Sequence, residues 1–155
     1  MTEIVYRKAK PNDSKSILEL INHYSMKGLM LPRSYTQIVE KIRDFTVGIN
    51  DGQIVGVVAL HPVSEEMGEI RSLAVLSTHQ RHGIGKKLIE YCIKDSISLE
   101  LNRVFTLTYQ IDFFKKLQFN QVERLTLPQK IWADCIHCAK FSDCDEVAMI
   151  RHLEL

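Results

Sequence analysis

The residues with the clearest capacity for chemistry lie between Gly68 and Cys92, in the stretch GEIRSLAVLSTHQRHGIGKKLIEYC. Gln80-Arg81-His82-Gly83-Ile84-Gly85 is a glycine-containing turn that opens an amphipathic helix. A helix start exposes N–H groups without intrahelical acceptors, at a dipole end equivalent to roughly half an elementary charge. Phosphate binds at such a place. Gly83 and Gly85 carry no Cβ, so the backbone can approach a ligand closely there. The spacing matches neither G-x-G-x-x-G nor G-x-x-x-x-G-K-[ST], which argues against a dinucleotide fingerprint and a P-loop. Arg81, His82, Lys86 and Lys87 add positive charge, some of it simply a solvated helix face. Upstream, Glu69 and Arg71 stand two apart on an extended run and project from one face. The guanidinium of Arg71 suits bidentate capture of a carboxylate, a job for which Arg33 competes. The plain alternative is an exposed Glu–Arg pair on a strand, which contributes little.

These residues need elements to hold them, and the pattern supplies those in order. A short strand around Ile4–Tyr6 is followed by a break at Pro11-Asn12-Asp13, with Asp13 placed to cap a helix. Ile17, Leu18, Leu20, Ile21 and Tyr24 recur at helical spacing, predicting a helix from Asp13 to Tyr24. The loop KGLMLPR, residues 27–33, has an apolar centre, Leu29-Met30-Leu31. It reads equally as a buried loop anchor or as a pocket wall. Ser34 to Gln37 has capping-box form and begins a second short helix carrying Ile38, Val39 and Ile42. Phe45–Ile49 and Ile54–Leu60 are strands joined through Asn50-Asp51-Gly52, a hairpin signal. The second of them is apolar on both faces, which predicts a central strand.

Gly68–Val75 is the next strand, and the helix from Ile84 to about Ile97 buries Ile84, Leu88, Cys92 and Ile93 on one stripe. Arg103–Leu107 is a strand and Asp112–Leu117 a short helix. Phe119–Arg124 and Glu146–His152 read as further strands. Antiparallel strands followed by a strand–helix–strand unit make the class α+β (α/β), with a mixed sheet.

The 155 residues fit one domain over residues 1–155, able to bury a core without disulfides. A net charge of +1 and the absence of like-charge blocks argue against nucleic acid or a membrane surface as partner. The N-terminal stretch lacks an apolar signal region and no apolar run approaches a membrane span. With four cysteines and no export signal, the expectation is a cytoplasmic protein with reduced thiols. Cys135, Cys138 and Cys144, with His137 inside the first pair, offer half of a zinc pattern. The second C-x-x-C is missing, so reduced thiols and no metal are the expectation. Cys92 falls on the apolar stripe and reads as core.

Leu73-Ala74-Val75 followed by Q-x-x-G-x-G resembles the acetyl-CoA signature of the GNAT acetyltransferase superfamily. In detail the chain is similar to the acetyltransferase domain of N-acetylglutamate synthases and to small stand-alone amino-acid N-acetyltransferases. The matching pieces are GLMLPRS, ALHP, MGEIRSLAV and RVFTLTYQIDFFKKLQF. The resemblance implies a single-domain GNAT fold, a twisted sheet of about six to seven strands with helices on both faces. It implies that Gln80, Arg81, His82, Gly83, Ile84, Gly85 and Lys86 donate to the pyrophosphate of acetyl-CoA. It implies that Leu73, Ala74 and Val75 hold the pantetheine arm through backbone groups, like an added strand.

Glu69 occupies the position of the family's usual base, and a carboxylate can take the proton of an attacking amine. The acceptor would be the α-amino group of a free amino acid of the glutamate or glutamine class, other small amino acids remaining open. Leu31, Arg33 and Arg71 would bind it. Transfer would be direct, in a ternary complex. Many superfamily members carry a tyrosine five residues before the phenylalanine of L-G-F. Here Phe114 stands in its place and Gln118 replaces the glycine. Tyr109 is the substitute acid, or else a half-buried structural tyrosine. Paired sheets through the last strand, common in the superfamily, would give a homodimer. The alternatives are an acetyl-CoA-binding sensor without turnover and a peptide or protein N-acetyltransferase.

Overall fold

The computed structural model describes residues 3–30, 32–127 and 146–154. Seven strands form one sheet of order β1-β2-β3-β4-β5-β7-β6. They are β1 (Val5–Lys8), β2 (Phe45–Asn50), β3 (Gln53–Pro62), β4 (Met67–Val75), β5 (Arg103–Thr108), β6 (Asn120–Val122) and β7 (Val147–His152). The α-helices are α1 (Ser14–Ser25), α2 (Tyr35–Glu40), α3 (Ile84–Ser98) and α4 (Ile111–Lys115). The described residues form two compact units. One holds the chain up to His61 together with Ile70–Asp95, the other Pro62–Glu69 and the chain from Ser96 onward. No helix among the described residues is long and apolar enough to cross a membrane.

In the first unit β1, β2 and β3 pair antiparallel, with Val5 opposite Ile49 and Phe45 opposite Ala59. The hairpin between β2 and β3 turns on Asp51 (φ 51°) and Gly52 (φ 77°), with Asn50 opposite Gln53. Two successive left-handed residues make the two-residue turn whose twist suits a hairpin, so Asp-Gly at this point was informative. Val55 to Leu60 are buried throughout, as an interior strand demands. Ile17, Leu20 and Ile21 of α1, with Ile38 and Ile42, pack on Val47, Val57, Ala59 and Ala74. Each fully buried Ile, Leu or Val among them stabilises the fold by about 1.5–3 kcal/mol.

Gly56 lies between those positions of β3 and meets α3. A Cβ there would come within 2.9 Å of Ile84 Cγ2 and 3.0 Å of Leu88 Cδ1. The first turns of α3 therefore seat on a bare patch of β3. Gly56→Val is expected to destabilise the protein by about 1–3 kcal/mol through overpacking. A fall in the denaturant midpoint at constant m-value is the measurement, and an unchanged midpoint would refute the contact.

Asp13 precedes α1 as expected but does not cap it. Its carboxylate turns back to Arg7, with Nη1–Oδ2 at 2.7 Å and Nη2–Oδ1 at 3.1 Å, and accepts the Lys10 N–H at 2.7 Å. A bidentate, charge-assisted pair outcompetes the helix N–H groups. It also holds the Asp13 carboxyl below the usual carboxylate range. The capping box of α2 forms as expected. Gln37 N–H donates to Ser34 Oγ at 3.1 Å, and Ser34 N–H donates to Gln37 Oε1 at 2.8 Å.

In the second unit β4 begins parallel to β5, Met67–Glu69 facing Arg103–Phe105. β7 pairs antiparallel with both β5 and β6. Met67, Phe105, Leu127, Ala148 and Ile150 make the core, joined by Val63, Leu107 and Val122. Phe114 of α4 is 3% exposed and edge-on to Phe113 and Phe119, each pair of rings 5.1 Å apart. α4 ends through Gln118 at φ 69°, and α3 ends nearby in sequence through Glu100 at φ 64°. Both are left-handed terminations that glycine usually supplies. The seven-strand mixed sheet agrees with the fold class expected from the residues.

Candidate acetyl-CoA site

The first unit holds the glycine turn and the end of β4 as one continuous piece. Ser72 has φ 58° in mid-strand, a left-handed residue without glycine's freedom. Such a residue disturbs the regular alternation of the strand at that point. Leu73 and Val75 are half-buried, and Ala74 is buried in the core beneath α1 and α2. Leu76 N–H donates to Val55 O at 2.8 Å. Main-chain polar groups alternate along a strand, so those of Leu73 and Val75 point away from β3.

After a 3-10 turn (Ser77–His79) the chain runs extended at Gln80, then takes φ 67° at Arg81 and 77° at Gly83. α3 starts at Ile84, and its first turn closes with Lys87 N–H on Gly83 O at 3.0 Å. The N–H groups of Ile84, Gly85 and Lys86 precede the first such bond, as at every helix start. A Cβ on Gly83 would meet nothing within 4 Å, so the turn stands open on that side. Arg81, His82 and Lys86 are exposed, whereas Ile84 is buried against Gly56. This is a run of amides and cations at the positive end of a fifteen-residue helix. It fits a pyrophosphate.

Two side chains pin the turn. Tyr24, in the last turn of α1, donates its hydroxyl hydrogen to Val75 O. Gln80 Nε2 donates to Tyr24 Oη at 2.7 Å and to Val75 O at 3.3 Å. The Gln80 amide side chain is thus engaged by Tyr24 and Val75, and any donation from Gln80 to a phosphate falls to its backbone. Both acceptor positions of the Val75 carbonyl are taken, which leaves its N–H as the group for an added strand. Tyr24 was read from the sequence as part of the apolar stripe, and nothing in spacing alone points to its hydroxyl partners. His79 bridges Thr78 Oγ1 (2.8 Å, Nδ1) and Asn50 Oδ1 (3.3 Å, Nε2), tying the same segment to the β2–β3 hairpin.

Arg33 and Arg71 are half-buried in this unit. Met30 packs on the core while Leu29 is 49% exposed, so the apolar loop is anchored by one side chain and open at another. Leu31 lies outside the described residues. His61, from ALHP, pairs through Nδ1 with Asp44 Oδ2 at 2.7 Å. The second unit holds Glu69, opposite Phe105 in register, and Tyr109, directly after β5; both are half-buried.

Cys92 is 1% exposed, and burial pushes its thiol up to about 12. The thiolate is the nucleophilic form, so Cys92 is not an acyl carrier at neutral pH. No cluster of three metal-ligating side chains occurs among the described residues. Cys135, Cys138, Cys144 and Trp132 lie outside them.

The chain is similar to known proteins in both sequence and fold. The family model "Acetyltransferase (GNAT) family" matches residues 16–119. The chain is 40% identical over 147 residues to an uncharacterized N-acetyltransferase of Chlorobaculum tepidum, covering 95% of each. It is 32% identical over 122 residues to an amino-acid acetyltransferase of Mycobacterium tuberculosis, covering 77% of this chain and 70% of that protein. Of the amino-acid acetyltransferase of Vibrio vulnificus (30% identical) the chain spans only 28% of the length. A Mycobacterium tuberculosis protein solved in complex with CoA and NLQ superposes with a TM-score of 0.83 at 28% identity, covering 97% and 99% of the two chains. The N-acetylglutamate synthase of Neisseria gonorrhoeae shares the fold, with a TM-score of 0.90 at 24% identity over 100% of this chain and 36% of that one. An open amide-lined turn at a helix start, in a chain matched by that family over most of its length, fits acetyl-CoA as the acetyl donor. The chain belongs to the GNAT family of acetyltransferases and is an acetyl-CoA-dependent N-acetyltransferase.

Proposed function

We propose that the acceptor is the α-amino group of a free amino acid, with the glutamate and glutamine class favoured. The observation that carries this reading is the 32% identity to an amino-acid acetyltransferase over 77% of the chain. In this reading residues 1–155 act as one catalytic domain. Gln80 to Lys86 take the pyrophosphate through backbone N–H groups, and Leu73 with the Val75 N–H pairs with the pantetheine amides. Arg71 and Arg33 capture the acceptor's α-carboxylate, for which a planar guanidinium is the fitting group. Leu31 belongs with them as a substrate-binding residue in this reading.

Acetyl-CoA supplies an activated acyl group. The amine nitrogen bonds to its carbonyl carbon, the C–S bond breaks, and the sulfur leaves with the electron pair. Glu69, directly or through water, takes the amine proton. Transfer is direct, in keeping with a Cys92 thiol too buried to carry the acyl group. Tyr109 is the candidate for returning a proton to sulfur, because Phe114 has no hydroxyl and is packed among aromatic rings.

Thiol release from acetyl-CoA, measured against a panel of free amino acids and short peptides, tests the reading. The expected result is turnover with free glutamate or glutamine, and a product of amino-acid mass plus acetyl. Turnover on peptides alone would overturn it.

A further inference from the structure

We propose that Tyr24 is a positioning residue for acetyl-CoA, acting through Gln80 and the Val75 carbonyl to fix the start of the pyrophosphate turn. The inference rests on Gln80–Lys86 being that turn. The hydroxyl of Tyr24 uses one donor and one acceptor position in a closed three-membered network: it donates to Val75 O, receives Gln80 Nε2 at 2.7 Å, and Gln80 Nε2 also reaches Val75 O at 3.3 Å. The network joins residues 75 and 80 and so closes the loop between the end of β4 and the turn.

Besides this network, His79 ties the segment before the turn to the β2–β3 hairpin. Gln80, Arg81, His82 and Gly83 are exposed, and two of the four have positive φ, so local opening is not opposed by buried apolar contacts. Its far end is secured by Ile84 against Gly56. Its near end is secured by Tyr24. A turn ordered before the ligand arrives spares the ligand the cost of ordering it.

The ring of Tyr24 packs against the α1 core and lies edge-on to His23 at 5.1 Å, which gives the hydroxyl a rigid platform. The same residue's carbonyl accepts the N–H groups of Lys27 and Leu29, both at 3.1 Å, where α1 gives way to the loop that carries Arg33. One helix end thus anchors the cofactor turn through a side chain and begins that loop through its backbone.

Tyr24→Phe keeps the ring and removes the hydroxyl. The expected result is a rise of roughly tenfold in both the KM for acetyl-CoA and the calorimetric Kd for CoA, the size of one lost hydrogen bond. The kcat at saturating acetyl-CoA and the melting temperature should stay close to wild type. Gln80→Leu, at an exposed side chain that folding does not need, should give the same change, and the double variant should be no worse than either single one. Multiplying effects, an unchanged CoA Kd in both single variants, or a fall in kcat and melting temperature at unchanged Kd would each overturn the proposal. Gly83→Val separates its failure from that of the turn assignment. If Gly83→Val weakens CoA binding and Tyr24→Phe does not, only the role of Tyr24 falls. If neither does, the cradle is elsewhere and both fall.

Discussion

Glu69→Gln is expected to lower kcat/KM for the amino-acid acceptor by roughly a hundredfold or more at pH 7, the usual contribution of a positioned base. The substitution is nearly isosteric and removes only the ability to take a proton. An α-amino group titrates near 8, so at pH 7 most of the acceptor arrives as ammonium and must shed a proton before it attacks. In the proposed mechanism Glu69 is the carboxylate that receives that proton. The variant must draw on the free-amine fraction, which grows about tenfold per pH unit until the amine's own pKa is passed. The deficit should therefore be greatest below pH 8 and shrink above it. CoA affinity should not change, since Glu69 has no role at the pyrophosphate. A pH–rate profile that Glu69→Gln leaves unaltered removes this residue from the mechanism.

Gly83→Val should raise the KM for acetyl-CoA by about a hundredfold while lowering stability by only about 1–2 kcal/mol. Two features of the same residue separate these outcomes. Its φ of 77° is one that a β-branched residue hardly ever adopts, at a cost of about 1–2 kcal/mol for a left-handed side-chain-bearing residue. Yet nothing in the chain lies within 4 Å of where its Cβ would go, so no core packing is disturbed. The added side chain projects into the open face of the turn, where the proposed ligand sits, and the strain tilts the Ile84–Lys86 amides away from it. Direct CoA titration beside a thermal melt reads the two effects apart. A variant that melts early but binds CoA normally would show that Gly83 serves the fold and not the ligand.

Much of what positions this site was legible where a residue type has one physical use. Asp51-Gly52 could only make a tight hairpin, and the stripe Ile84, Leu88, Cys92, Ile93 could only be a helix face toward a core. Gly83 was legible as a point without a Cβ, and the structure adds a φ of 77° there. The misreadings share a cause, which is that partners distant in sequence decide what a polar side chain does. Asp13 had the type and place of a helix cap, but Arg7 offered a bidentate pair between opposite charges. Gln80 keeps its backbone for the proposed phosphate turn, and the engagement of its side-chain amide by Tyr24, across 56 residues of chain, was not readable from its neighbours. Left-handed backbone at Ser72, Arg81, Glu100 and Gln118 left no trace in composition, since none of these is glycine. Such residues are held by the structure around them, and a single sequence does not display that environment.

The burial of Cys92 has a practical side. A thiol that is 1% exposed, on the face of α3 that packs inward, meets an alkylating reagent only when that helix lifts from its neighbours. Its labelling rate in native buffer therefore measures how often α3 opens, and the start of α3 is also the rim of the proposed cofactor turn. If ligand binding quietens that opening, the slowing of Cys92 labelling reports occupancy of the site without an enzymatic readout, from a residue that touches neither substrate.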